Sequence, residues 1–489
     1  MCNSMRAARR LPLVAALGAL AACSSAGGSP TPPPPPPAER PVEVAVEAWL
    51  TTPDRNSLLS RQPDAGFVAG RSSADWTITV DESRSYQEMV GFGAALTGSS
   101  AWLIHHKLTP AQREALLQDL FSTTEGVGFS FVRLPMGASD FSLEHYSYND
   151  LPAGQADPEL KRFSIAKDRE YILPVLKQAL AINPALKLMG SPWSPPGWMK
   201  TTGSLIKGRL KPEYYDAFAQ YFVKYIEAYA AEGVPIWAIT LQNEPHFEPE
   251  NYPGMRVEPA ERATIIGRHL GPLFERRGIR AQIWDWDHNW DEYHSPIAVL
   301  NDSVARRYIQ GVAWHCYAGQ VEAQNLVAAA HPDKEHLFTE CSGGAWAPNF
   351  ADNLKWTTQM LIVRSVRYGS RGVQMWNLAL DPDGQPHLGG CGNCRGVVSI
   401  DQATGRVTRN EEYYAFGHAS KFVRQGARRI DSATGRGGLE SVAFKNPDGS
   451  KALLVVNTAN LARNFAVEWG TRSFTYTLPA GAVVTFRWP

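Results

Sequence analysis

The chain has 489 residues, room for one large barrel with an attachment or for roughly two to three average domains. Lys plus Arg and Asp plus Glu balance at 48 each, so no net field draws it to nucleic acid or to acidic lipid, and a neutral partner fits better. Fifteen Trp and 17 Tyr can serve a core or offer flat apolar faces to a ligand, and composition does not choose between those uses.

At the N-terminus, Arg6, Arg9 and Arg10 precede the apolar run LPLVAALGALAAC, which is too short to span a membrane and suits a signal peptide over residues 1–22. Its end, Leu20-Ala21-Ala22-Cys23, resembles a bacterial lipobox, in which the cysteine becomes the lipidated first residue of the mature protein. A plain signal peptide cleaved nearby is the alternative. Residues 23–42 follow as a lipidated Cys and a Pro-rich linker, an extended spacer rather than a packed element. The expected setting is an exported lipoprotein on the periplasmic face or cell surface, held by its lipid anchor, or otherwise a periplasmic or secreted protein.

Two regions flank a long alternating core. VEVAVEAWLTT and WTITV before it, and SVAFKNPDGSKALLVVN, SFTYTLP and AVVTFRW after it, alternate with period two around turn signals such as NPDGS. Neither end can bury a sheet face alone, so residues 43–87 and 425–489 are expected to combine into one β-sandwich.

Residues 88–424 alternate short apolar runs with longer amphipathic segments, the pattern of a parallel sheet with crossover helices. Candidate strands fall at 89–97, 131–136, 186–194, 236–245, 281–289, 311–317, 336–343 and 372–380, the eight of a closed (β/α)8 TIM barrel in the α/β class. Thr109-Pro110-Ala111-Gln112 supplies an N-cap, a proline at the first helical position and a capping-box partner. Tyr215, Phe218, Phe222, Tyr225, Ile226 and Tyr229 recur at helical spacing and are assigned to the core. Beyond Cys2 and Cys23, the cysteines are Cys316, Cys341, Cys391 and Cys394. The pair in GGCGNCRG has no second CxxC and reads as a local disulfide or two free thiols closing a loop, in preference to a metal or redox site.

A barrel of this kind carries its site at the C-terminal ends of the strands. The polar residues there are Arg133 and Asp140, Trp193, Asn243 and Glu244, Asp287 and His288, His315 and Tyr317, Glu340, and Trp376 and Asn377. Glu244 in LQNEP and Glu340 in HLFTEC end the fourth and seventh strands, so they would face each other across the mouth. Paired carboxylates are what glycoside hydrolysis needs: one protonates the leaving oxygen while the other acts as nucleophile or activates water. A lone Glu after an apolar strand is more often a salt-bridged rim residue. In NEP, however, Pro245 lacks an amide hydrogen and biases Glu244 away from the helical region, so the strand ends with the carboxylate aimed into the mouth. No HExxH or close His/Asp cluster appears, so neither metal nor cofactor is expected.

In this order across nearly the whole mature chain, GFGAALTGSSAWLI, FVRLPMGASDFS, SPWSPPGWMKTTG, LQNEP, HCY, TEC and WNLALDPDGQP resemble glycoside hydrolase family 30, which includes the lysosomal glucosylceramidases. The resemblance implies a retaining enzyme with a (β/α)8 barrel and a side β-sandwich from both chain ends. It casts Glu244 as general acid/base and Glu340 as nucleophile. Asp140, Trp193, Asn243 and Trp376 would surround the sugar before the cleaved bond, with Tyr317 donating its hydroxyl to Glu340. His315, Arg133 and Asn377 complete the substrate-binding candidates, and for His315, Arg133 and Tyr317 a supporting role is an equal alternative. An ionised Glu340 is expected to raise the pKa of Glu244. The loop DPDGQPHLGGCGNCRGVVSI departs from the glucosylceramidases, and Phe247 and Tyr252 are candidate platforms beyond the cleaved bond, with loop packing an equal alternative. The expected substrate is a β-glucoside of the glucosylceramide kind. The alternatives are a β-1,6-glucan, cleaved by an endo-β-1,6-glucanase, and a non-catalytic surface glycan-binding lipoprotein, against which the presence of both Glu244 and Glu340 counts.

Overall fold

The structure, a computed structural model, describes residues 40–433 and 435–489. The signal peptide, the lipobox and nearly all of the Pro-rich linker lie outside the described residues. Among those described, no helix is long and apolar enough to cross a membrane.

Eight parallel strands close a barrel. They are β1 (Gly91–Ala95), β2 (Phe131–Pro135), β3 (Lys187–Ser191), β4 (Ala238–Thr240), β5 (Gln282–Asn289), β6 (Ile309–His315), β7 (Glu335–Glu340) and β8 (Ser370–Asn377). Each falls inside or within two residues of its expected segment. The fourth differs most: the sequence predicts one strand over residues 236–245, but β4 keeps only three residues. The stretch from Leu241 to Glu244 has left the regular ladder, and its backbone bonds to the residue after β3 and to the inserted residue of β5 instead, Asn243 N–H donating to Pro192 O at 2.8 Å and Glu244 N–H to Asp287 O at 3.1 Å.

Successive strand residues face opposite sides, so the barrel interior can be read two residues at a time. One inward layer is apolar: Phe131, Met189, Ala238, Trp284, Ala313 and Leu337 pack together. Two positions further on, toward the C-terminal mouth, the same strands carry Arg133, Ser191, Thr240, His315 and Thr339, all fully buried. The fifth strand breaks the count. Ala313 pairs with Trp286 and Trp314 with His288, so Asp287 is an inserted residue, and positive φ values at Trp286 (+78°) and Asp287 (+55°) turn its carboxylate inward.

Helices sheathe the barrel where the sequence places them. Helix Pro110–Phe121 starts at Thr109 with its capping box formed, and helix Tyr215–Ala231 buries all six aromatic and aliphatic residues assigned to the core. Beside the barrel lies a sheet of strands from both chain ends. Val42–Thr51 pairs antiparallel with Val483–Trp488, and Trp76–Glu88 lies between Arg428–Ser432 and Arg463–Trp469. Its own core gathers Phe67, Ile78, Leu453, Phe465, Phe486 and Trp488, while Val442, Phe444 and Leu454 face the barrel's core.

Candidate active site

The mouth of the barrel opens into a cavity of about 780 Å³ lined by Asp140, Trp193, Asn243, Glu244, Tyr317, Glu340 and Trp376. Phe247 and Tyr252 line it as well. Three of the candidates lie beneath its walls: Arg133 and His315 are fully buried, and Asn377 is 1% exposed with its Oδ1 accepting from Thr97. None of these three lines the cavity, and the bonds of Arg133 and His315 to the carboxylates around them fit the supporting role that was the alternative for both.

Asp287 is the hub below the mouth. Arg133 Nη2 and the hydroxyls of Ser191, Thr240 and Thr339 each lie 2.7 Å from its carboxylate, and His315 Nε2 lies at 3.0 Å. Burial alone would raise the pKa of Asp287, but Arg133 and His315 hold it well below the usual carboxylate range. The hub fixes two cationic side chains, and these reach the two glutamates. Arg133 Nη1 donates to Glu340 Oε2 at 2.5 Å, and its Nη2 also donates to Asn243 Oδ1 at 2.7 Å. With that oxygen occupied, the Asn243 amide is left to present its N–H donors to the cavity. His315 Nδ1 lies 3.1 Å from Glu244 Oε1 and 3.8 Å from Glu340 Oε1. Tyr317 donates its hydroxyl to Glu340 Oε1 at 2.9 Å.

Burial opposes a charge on His315, yet Glu340, Asp287 and Glu244 outweigh it and hold its pKa at about 9, so the ring is an imidazolium at neutral pH. The two glutamates then separate in the sense opposite to expectation. Burial raises both, but His288, His315 and Arg133 draw Glu244 below its ordinary value, while Glu340, repelled by Glu244 and Asp287, stays above. The repulsion between the two carboxylates falls on Glu340, while the two imidazoles and Arg133 prevail at Glu244. Asp140 is pushed well above the usual range by burial, with repulsion from Glu340 and Glu244 adding.

One oxygen of Glu244, one of Glu340 and one nitrogen of His315 all lie within 4.8 Å of each other. Such a trio has the spacing of a cation site, but its donors are already engaged: a guanidinium and a phenol occupy Glu340, and Asp287 and Glu244 occupy both nitrogens of His315.

On the remaining wall, Trp193 and Trp376 stack at 5.1 Å, with the Arg133 guanidinium 4.9 Å from the Trp193 ring. Cys391 and Cys394 form a disulfide on the cavity rim, which settles the open reading of that loop, and Gly390 packs so closely on Asp140 that a Cβ would sit 2.5 Å from its carboxylate.

The family model for the glycosyl hydrolase family 30 TIM-barrel domain matches residues 89–423, and that for the glycosyl hydrolase family 30 beta sandwich domain matches residues 426–486. The chain belongs to glycosyl hydrolase family 30. The endo-1,6-beta-D-glucanase of Neurospora crassa is 36% identical to this family 30 glycosidase over 432 residues, covering 84% of this chain and 88% of that one. The lysosomal acid glucosylceramidase of Mus musculus is 29% identical over 451 residues, covering 86% and 85%. Among solved structures, an endo-beta1,6-glucanase superposes with a TM-score of 0.84 at 34% identity, covering 91% of this chain and 99% of that one.

Two features of the glycosidase's site escaped sequence reasoning. Asp287 stood among the strand-end residues, but its role depends on the inserted residue in β5. The second disulfide, Cys316–Cys341, depends on register: His315 and Glu340 are partners across β6 and β7, so the next residue on each strand meets the other.

Proposed function

We propose that the protein is a retaining endo-β-1,6-glucanase with Glu340 as nucleophile and Glu244 as general acid/base. The observation that carries the mechanism is that one carboxylate oxygen of Glu244 lies within 4.8 Å of one of Glu340. A spacing of about 5–5.5 Å suits direct attack by one carboxylate, whereas about 6.5–9.5 Å leaves room for water between sugar and base.

In this reading a glucosyl unit sits between Asp140, Trp193 and Trp376, with Asn243 donating to its hydroxyl next to the reacting carbon. Arg133 and Tyr317 hold Glu340 on line by hydrogen bonds, and Glu340 attacks the anomeric carbon as the glycosidic bond breaks. Glu244 protonates the leaving oxygen. The proton it delivers is shared along the bond to His315 Nδ1, which holds it in the empty site and takes it back when Glu244 deprotonates the incoming water. His315 thus positions and recharges Glu244 without touching the sugar.

The linkage rests on likeness: the endo-1,6-glucanase of Neurospora crassa is more similar to this chain than the lysosomal glucosylceramidase is, at 36% against 29% identity. The glucosylceramide expectation accordingly gives way to its alternative. The test is glucose or oligosaccharide release from gentiobiose, pustulan and glucosylceramide. Short oligosaccharides from pustulan are expected; turnover of glucosylceramide with pustulan left intact would overturn the linkage.

A further inference from the structure

A second cavity, of about 460 Å³, adjoins the first. The two share Tyr317, Ser342 and Trp346, but none of Asp140, Trp193, Asn243 or Trp376 belongs to the second, so it leads away from the sugar pocket described above. Its wall carries Asp352 and Trp356.

Among the described residues, Trp346 at 54% and Trp356 at 42% are the two tryptophans left most exposed, and both fall on this cavity. Two exposed indole rings on one cavity make an apolar patch of the kind that marks a ligand-binding surface.

Trp346 is held rather than loose. Gly343 and Gly344 pair with Arg395 and Cys394, Ala345 N–H donates to Asn393 O at 2.8 Å, and the ring lies so close over Gly344 that a Cβ there would be 2.0 Å from it. The disulfide-closed Cys391–Cys394 loop therefore backs the segment that carries the ring. A platform fixed before binding loses little entropy when it is used.

We infer that this compartment binds glucosyl residues of the substrate chain on the leaving-group side of the cleaved bond, with Trp346 at the junction and Trp356 as the distal platform. The inference rests on the glucanase reading above. Indole faces match the C–H faces of a pyranose, and the Asp352 carboxylate can accept from its hydroxyls. A ceramide or another long alkyl group would not use a carboxylate at this place. The compartment favours long chains over short ones and so favours cleavage within the polymer.

The test compares Trp356→Ala and Trp356→Phe with the unaltered enzyme on pustulan and on 4-nitrophenyl β-glucoside, which carries no glucosyl residue on the leaving-group side. Loss of one stacking platform is expected to raise KM for pustulan about tenfold in Trp356→Ala with kcat within about twofold. Trp356→Phe should recover most of the loss, and the aryl glucoside should be turned over at nearly the same rate by all three. An unchanged KM for pustulan would overturn the compartment while leaving the glucanase reading in place. Equal losses on both substrates would mark a folding role and also overturn it. If the unaltered enzyme cleaves the aryl glucoside but not pustulan, the linkage reading fails and this inference with it.

Discussion

Glu244 has a φ of +47°, in the left-handed region that residues with a Cβ seldom occupy. Pro245 does bar the right-handed helical conformation, as the sequence suggests, but the chain takes the left-handed alternative rather than an extended one. Such a conformation costs about 1–3 kcal/mol and persists where neighbours over-determine it. Here the bonds of Asn243 and Glu244 N–H to Pro192 and Asp287 do so. Glu244 and Glu340 were legible because each follows an apolar run at a place where a barrel exposes its strand ends. The role of Asp287 as the hub was not, since nothing local in WDWDH announces two positive φ angles without a glycine. Two predictions belong to single residues. Glu244→Gln should lower the rate on β-1,6-glucan by about 10²–10⁴-fold while largely sparing an aryl glucoside whose leaving group needs no proton; rates on the two substrates check this, and equal losses would remove Glu244 from the acid role. The second concerns His315. Its pKa of about 9 in the folded protein exceeds the value of about 6.5 for an unfolded chain, so the stabilisation is fully present below pH about 6.5 and is lost as pH rises through about 9. Denaturant titrations across that window should show the unfolding free energy falling by about 1.4 kcal/mol for each step of one in pH, and His315→Gln should abolish that component of the slope.

At the scale of elements, the barrel was readable because every strand is an apolar run that ends in polar residues, and the helices carry their own caps. What the sequence hid was register. Cys316 and Cys341 sit in unrelated motifs, HCY and TEC, and only the pairing of His315 with Glu340 brings them together. Their disulfide joins the ends of β6 and β7, one residue from His315 and Tyr317 on one strand and one residue from Glu340 on the other. Closing a loop across a sequence separation of 25 residues stabilises by about 3.5 kcal/mol in the chain-entropy account. Replacing both cysteines by serine should therefore lower the thermal midpoint by several degrees, read by calorimetry, with the oxidised and reduced forms of the variant melting alike at this position. A variant as stable as the parent would show that the strands hold their register unaided.

For the whole molecule, strands from both chain ends join beside the barrel, as alternation and the small size of each piece led us to expect; they form one ten-stranded sheet where a β-sandwich was expected. Strand Trp76–Glu88 lies between two C-terminal strands, antiparallel to one and parallel to the other, so it cannot be removed without opening the sheet. Deleting residues 41–88 should give insoluble protein or a chain without a cooperative melt, even though every residue at the barrel mouth remains; a soluble, active barrel would contradict this. The charge network at the mouth is equally a property of the assembled molecule. Arg133 from β2, Asp287 from β5, His315 from β6 and Glu340 from β7 meet only when the barrel closes, and they set the two glutamates at the spacing on which the proposed chemistry depends. The most direct test of that chemistry is the anomeric configuration of the product first released from a β-1,6-glucan, followed by proton NMR before mutarotation. Double displacement by Glu340 and Glu244 predicts the β-anomer, and an initial α-anomer would contradict it.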